Sequence, residues 1–112
     1  MTVVILSCGK NGVLKKCKAN GHAGFSKKGT DIVCAAVTTL LKTSMEVLSH
    51  TENVLLIADT SDRGNLAFTV EVKDENPETE ARLKCTADFI RDGIKWLESQ
   101  YPENVSFQEV VQ

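Results

Sequence analysis

The strongest constraint on the fold is an apolar stripe that begins just after Asp31. Val33, Ala36, Val37, Leu40, Leu41, Ser44 and Leu48 recur at three- and four-residue spacing, the period of one helical face. Asp31 is a good N-cap residue, so the spacing predicts a helix from Ile32 to about Ser49. A second stripe, Leu83, Ala87, Ile90, Ile94, Leu97 and Tyr101, follows Asn76-Pro77. Proline suits a first helical position, Glu78 and Glu80 lie near the positive end of the helix dipole, and Pro102 closes the run. This stripe is expected to pack into a core.

Around the helices the pattern changes to a period of two. Thr2 to Ser7 is β-branched and apolar, Asn11-Gly12 supplies a tight turn, and Val13 to Ala19 returns, so a β-hairpin is predicted. Asn53 to Ala58 reads as a nearly continuous buried strand. Ser61-Asp62-Arg63-Gly64-Asn65 then turns the chain, and Leu66, Phe68, Val70 and Val72 alternate with Ala67, Thr69 and Glu71. That is a second hairpin, and Val105 to Val110 are a candidate C-terminal edge strand. The expected fold is α+β, with two β-hairpins and two main helices in a two-layer arrangement. With 112 residues, 12.2 kDa and no linker, repeat or low-complexity tract, residues 1–112 read as a single domain able to form one core without staples.

Charge and cysteine usage exclude several functions. A net charge of -2 and a pI near 5.7 give no general affinity for nucleic acid or an anionic membrane. The lysines at 10, 15, 16, 18, 27 and 28, and the acidic block of Asp74, Glu75, Glu78 and Glu80, read as solvated surface. No stretch looks long and apolar enough to span a membrane. Cys8, Cys17, Cys34 and Cys85 follow no secretory signal, so the chain is expected to be cytoplasmic with reduced thiols. There is no Cys-x-x-Cys pair, helical His pair, Cys-x5-Arg loop or Walker sequence, so neither metal nor cofactor is expected.

What remains is a thiol and an imidazole. Cys34 would be the third residue of the first helix, near unpaired backbone N–H groups and the positive end of the dipole, an environment that favours thiolate over thiol. His22, between Gly21 and Ala23 on a glycine-containing loop, could approach it as a base. Taken singly, such a cysteine is most often a small buried hydrophobe and such a histidine a surface residue. Their placement at one end of one helix makes a His–Cys dyad a reading of equal weight. The loop from about His22 to Thr30, with only Phe25 as an apolar anchor, is expected to be poorly ordered without substrate.

Gly21-His22-Ala23, together with Asp31-Ile32-Val33-Cys34-Ala35-Ala36-Val37, resembles the signature of the Prp family of bacterial ribosomal-processing cysteine proteases. Length and element order are also similar to that family. The resemblance implies a small α/β homodimer that removes a short N-terminal extension from a large-subunit ribosomal protein. It implies Cys34 as nucleophile and His22 as general base, with Asp31, Gly21 and Thr38 as supporting motif residues. Thr38 departs from the more common serine but keeps the hydroxyl.

Acyl transfer through a thioester would follow, with backbone N–H groups near Val33 and Cys34 as candidate oxyanion donors. Asp31 and, less directly, Asp59 are candidates for a third residue that orients His22. From Ile32 to Leu41 the first helix carries no charge, which is read either as burial within the monomer or as part of a dimer interface probed by Val37→Glu or Leu41→Glu. The main rival is a non-catalytic ribosome-associated binding or assembly protein. A redox-sensing thiol is a weaker third reading, because no other cysteine is near Cys34 in sequence.

Overall fold

Caps place both helices where the sequence predicts them. Asp31 and Asn76 adopt extended backbone and start α1 (Ile32–Ser49) and α2 (Pro77–Gln100), with Pro77 in the first turn of α2. The computed structural model describes residues 1–21, 31–60 and 64–112. Five strands, β1 (Thr2–Cys8), β2 (Leu14–Asn20), β3 (Val54–Asp59), β4 (Asn65–Val72) and β5 (Val105–Val111), form one sheet in the order β3-β4-β2-β1-β5. β1/β2 and β3/β4 are antiparallel, as is β2/β4, whereas β5 runs parallel to β1. The fold is α+β, and both expected hairpins are present.

Register determines which side of the sheet is buried. Leu6 pairs with Cys17, Cys17 with Phe68, and Phe68 with Ala58, so these side chains share one face. Val4, Leu6, Cys17 and Phe68 are buried there beneath the helices. α1 contributes Val33, Val37, Leu41, Ser44 and Leu48, and α2 contributes Leu83, Ala87, Ile90, Ile94 and Leu97. The helices meet where Leu40 approaches Gly93, whose missing Cβ would lie 3.0 Å from Leu40 Cδ1.

Two expectations need correction. β3 is not a continuously buried strand: it lies at the sheet edge, and only Val54 is buried while Leu55 and Ile57 are exposed. Apolar composition alone could not distinguish an edge from a centre. α1 does meet the length and composition of a membrane-crossing helix, contrary to expectation. Val33, Val37, Leu41, Ser44 and Leu48 form its core-facing stripe, while Ile32 and Val47 of the same helix are exposed. Of the two readings of the uncharged Ile32–Leu41 stretch, burial of Val37 and Leu41 within the monomer favours intrachain packing at those positions, so acidic substitutions there are expected to disturb folding.

Candidate active site

Asp31 organises the start of α1. Its Oδ1 accepts hydrogen bonds from the backbone N–H groups of Val33 (2.9 Å) and Cys34 (3.0 Å), and its carbonyl accepts from the Ala35 N–H. The carboxylate is itself buried. Asp31 is therefore a helix cap, and the two donors expected to face an oxyanion are already bonded to it. Burial near a helix start favours such capping, because those N–H groups would otherwise lack partners.

Cys34 is the third residue of α1 and is half-buried, in contrast to Cys8 and Cys17 in the core. Burial raises the Cys17 thiol to about 12, and it also raises Cys8, against the opposing effect of Arg91. Cys85, on α2, is exposed. Cys34 alone of the four lines a cavity of about 310 Å³ between the first turns of α1 and the ends of β1, β2 and β4. Thr38, one turn further along α1, lines the same cavity.

Gly21 forms part of the opposite wall and has a local reason to be glycine. Its φ is 90°, its N–H donates to the Gly64 carbonyl at 2.8 Å, and an added Cβ would collide with the Met1 carbonyl oxygen. Gly21 thus fixes the direction in which the chain leaves β2 toward His22. His22 and the 22–30 loop lie outside the described residues, so the predicted base and the predicted mobility of that loop do as well.

Asp59 is not brought to this cavity. It pairs with Ala67, which pairs with Lys18, and that register puts it on the sheet face away from α1, in a surface depression with Lys16 and Lys18. The site also contains residues that the sequence reading passed over. Lys42 continues the Cys34 and Thr38 row by one more turn, and its four-residue spacing was a readable signal. Thr2 reaches the cavity through strand pairing, for which no local signal exists. Among the described residues, no cluster of three or more His, Cys, Asp or Glu side chains could hold a metal ion.

Comparison with known proteins settles the family. The model of the cysteine protease Prp family matches residues 1–106. The chain belongs to the Prp family of cysteine proteases. A ribosomal processing cysteine protease Prp from Mycoplasma pneumoniae is 30% identical over 94 residues, covering 84% of this chain and 86% of the relative.

The Prp fold is also evident from solved structures. The essential ribosomal processing protease Prp of Staphylococcus aureus, in complex with a covalently linked product peptide, matches with a TM-score of 0.77 at 21% identity, covering 97% of this chain and 99% of that one. A Streptococcus mutans protein matches with a TM-score of 0.73 at 27% identity, covering 100% and 96%. The Staphylococcus aureus protease bound to a substrate peptide gives a TM-score of 0.71 at 20% identity, covering 97% and 99%.

Proposed function

We propose that this Prp-family protease removes a short N-terminal extension from a large-subunit ribosomal protein, with Cys34 as nucleophile and His22 as general base. The observation that carries the reading is Cys34 itself, a half-buried thiol at a capped helix start, lining a cavity while its core counterparts are sealed away. The ribosomal substrate is supported by the Mycoplasma pneumoniae relative, a ribosomal processing protease.

In the proposed reaction His22 accepts the thiol proton as Cys34 Sγ attacks the peptide carbonyl carbon. The tetrahedral species collapses to a thioester as the imidazolium returns that proton to the leaving amine. Water, deprotonated by His22, then attacks the thioester, releasing the new carboxyl terminus and restoring the thiol. Because Asp31 Oδ1 holds the Val33 and Cys34 N–H groups, the start of α1 contributes its dipole, and oxyanion donors come from elsewhere. Asp31 acts by fixing the helix start beneath the sulfur, and Gly21 by directing the chain toward His22.

The protein is further proposed to work as a homodimer in the cytoplasm, where thiols stay reduced. Ile32, Phe89 and Trp96 on the two helices are exposed large apolar side chains that support a dimer surface better than the buried Val37 and Leu41. A monomeric mass at micromolar concentration would remove that part of the reading. For the activity, the purified protein is incubated with the host's extended ribosomal protein and the product mass is measured. Loss of the N-terminal extension, dependent on Cys34, is expected; an unchanged mass favours a non-catalytic ribosome-associated role, and full cleavage by Cys34→Ala ends the cysteine mechanism.

A further inference from the structure

The two edges of the sheet are finished differently. At the β5 edge the Val105 N–H donates to the Tyr101 carbonyl at 3.0 Å and the Phe107 N–H to Glu98 Oε2 at 2.8 Å. At the β3 edge the Lys73 N–H donates to the Asn53 carbonyl at 2.8 Å, and the β3/β4 register continues from that pair without a shift. Leu55 and Ile57 therefore turn their backbone groups toward β4, while Leu56 and Ala58 turn theirs toward the free edge. Val54 to Ala58 contain no charge, proline or bulge, the usual devices that keep a further strand away, and Leu55 and Ile57 are 43% and 49% exposed.

This bare edge runs into the cavity beside Cys34. Thr60, one residue beyond β3, lines that cavity together with Cys34 and Thr38. On α1, Cys34, Thr38 and Met45 fall within about 40° of one another, whereas Leu40, which meets Gly93 of α2, lies about 120° to 160° away. Because α1 packs on β3 and α2 on β5, the Cys34 row is on the β3 side of its helix. Ala58 shares the helix-side face with Phe68 yet is exposed, so that face is open at the end of β3.

An extended peptide suits both features. Its backbone pairs with the outward groups of Leu56 and Ala58, and its alternate side chains meet Leu55 and Ile57 on one face and the α1 row on the other. We propose that β3 is the docking strand for the substrate, which joins the sheet as a sixth strand and delivers its scissile bond to Cys34. Continuity of the edge with the cavity selects substrate over a second copy of the chain as its occupant. Leu56 lies four residues before Thr60, about 13 Å along an extended strand, so the peptide is gripped about four residues from the bond that is cut. The inference rests on the proteolytic reading in taking the peptide to be the substrate.

Amide hydrogen exchange is measured by NMR on full-length Cys34→Ala protein, with and without a dodecapeptide spanning the end of the host ribosomal protein's N-terminal extension. In the free protein the Leu55 and Ile57 amides are expected to exchange slowly and those of Leu56 and Ala58 rapidly; bound peptide should slow Leu56 and Ala58 by at least ~10-fold. Peptides N-methylated at successive backbone positions should lose affinity at every second position of the paired segment. In protein that retains Cys34, Leu56→Pro removes one outward donor and spares the ladder to β4, so it should raise KM by ~10-fold with kcat little changed, and Ala58→Pro repeats the test at the next outward position. Bound peptide that leaves exchange at Leu56 and Ala58 unmoved overturns this inference and leaves the proteolytic reading standing. Slowed exchange at both, without cleavage by protein that retains Cys34, removes the proteolytic reading alone. Slow exchange at both before peptide is added, quickening on dilution, gives the edge to a second copy and overturns the proposal. Absence of peptide binding overturns it together with the proposed ribosomal substrate.

Discussion

The α2–β5 side of the molecule and the Cys34 side are built from similar amounts of helix and strand, yet they treat polar groups in opposite ways. On the α2–β5 side, Asn76 Oδ1 caps the Thr79 N–H at 2.9 Å. Arg91 holds Glu109 at 2.6 Å and Asp88 at 2.8 Å, and Glu98 accepts the Phe107 N–H of the edge strand at 2.8 Å. On the Cys34 side a half-buried thiol, Thr38 and an exposed Lys42 line open space, and the buried Thr2 Oγ1 has no hydrogen-bond partner among the described residues. Matched groups hold an element in place, whereas side chains that line a cavity are within reach of a ligand. The comparison separates the part of the molecule that maintains shape from the part that meets substrate.

The sharpest way to break this division is to change Cys34. Cys34→Ala is expected to abolish cleavage, measured by product mass, while circular dichroism and the thermal midpoint stay near wild type, because truncating a small, half-buried side chain beside an open cavity removes little packing. A large stability loss would move Cys34 to the shape-keeping side. His22→Ala is expected to reduce the rate by ~10²-fold or more, the lower range for a positioned base.

Gly21→Ala tests whether the active side has a structural requirement of its own. The left-handed backbone and the collision with the Met1 carbonyl predict a loss of about 2 kcal/mol in denaturant unfolding, together with reduced activity. Stability unchanged from wild type would show that the chain leaves β2 differently.

The opposite side is probed through Arg91. Arg91→Met is expected to cost about 1 kcal/mol, since the pairs are partly exposed, and to leave the cleavage rate of folded protein unchanged. The hydrogen bond from Arg91 holds the Glu109 carboxyl below its usual 4.5. Its stabilisation is therefore complete above about pH 4.5 and is lost as the pH falls through the lowered folded value. Unfolding measured between neutral and acid pH should show a component of acid sensitivity that Arg91→Met lacks.

Thiol labelling makes the same comparison more finely. Iodoacetamide at neutral pH should leave Cys8 and Cys17 unmodified in the folded protein, since both are buried and raised, and should modify Cys34 before the exposed mid-helix Cys85. Faster labelling of Cys85 would count against activation at the helix start. Asp31→Asn is the smallest change expected, because asparagine caps about as well as aspartate. A loss as severe as that of Cys34→Ala would give the Asp31 charge a role beyond the cap.

The difference between the two sides also explains what could be read from sequence. Local rules located Asp31, Asn76 and Pro77, the Asn11-Gly12 turn, both antiparallel hairpin pairings and the bounds of α1, because capping and turn chemistry act within a few residues. They also singled out Cys34. The exposure of β3, the parallel pairing of β5 and the entry of Thr2 into the cavity depend on strand order, which no short window contains. The capture of the Val33 and Cys34 N–H groups by one oxygen of Asp31 was implicit in calling that residue a cap, but its consequence for the oxyanion emerges only from the geometry.

One pairing also ties together the two ends of the described fold. β1 lies between β2 and β5, with Thr2 beside Val105 and Cys8 beside Val111, so the first strand is completed only by the last. The connection closes nearly the whole length of the chain, the kind of contact that forms late and slowly. Without the pairing to Val105–Val111, β1 would present an open edge beside Thr2. The strand that carries Thr2 is thereby braced on one side by a local hairpin partner and on the other by a segment about a hundred residues away in sequence.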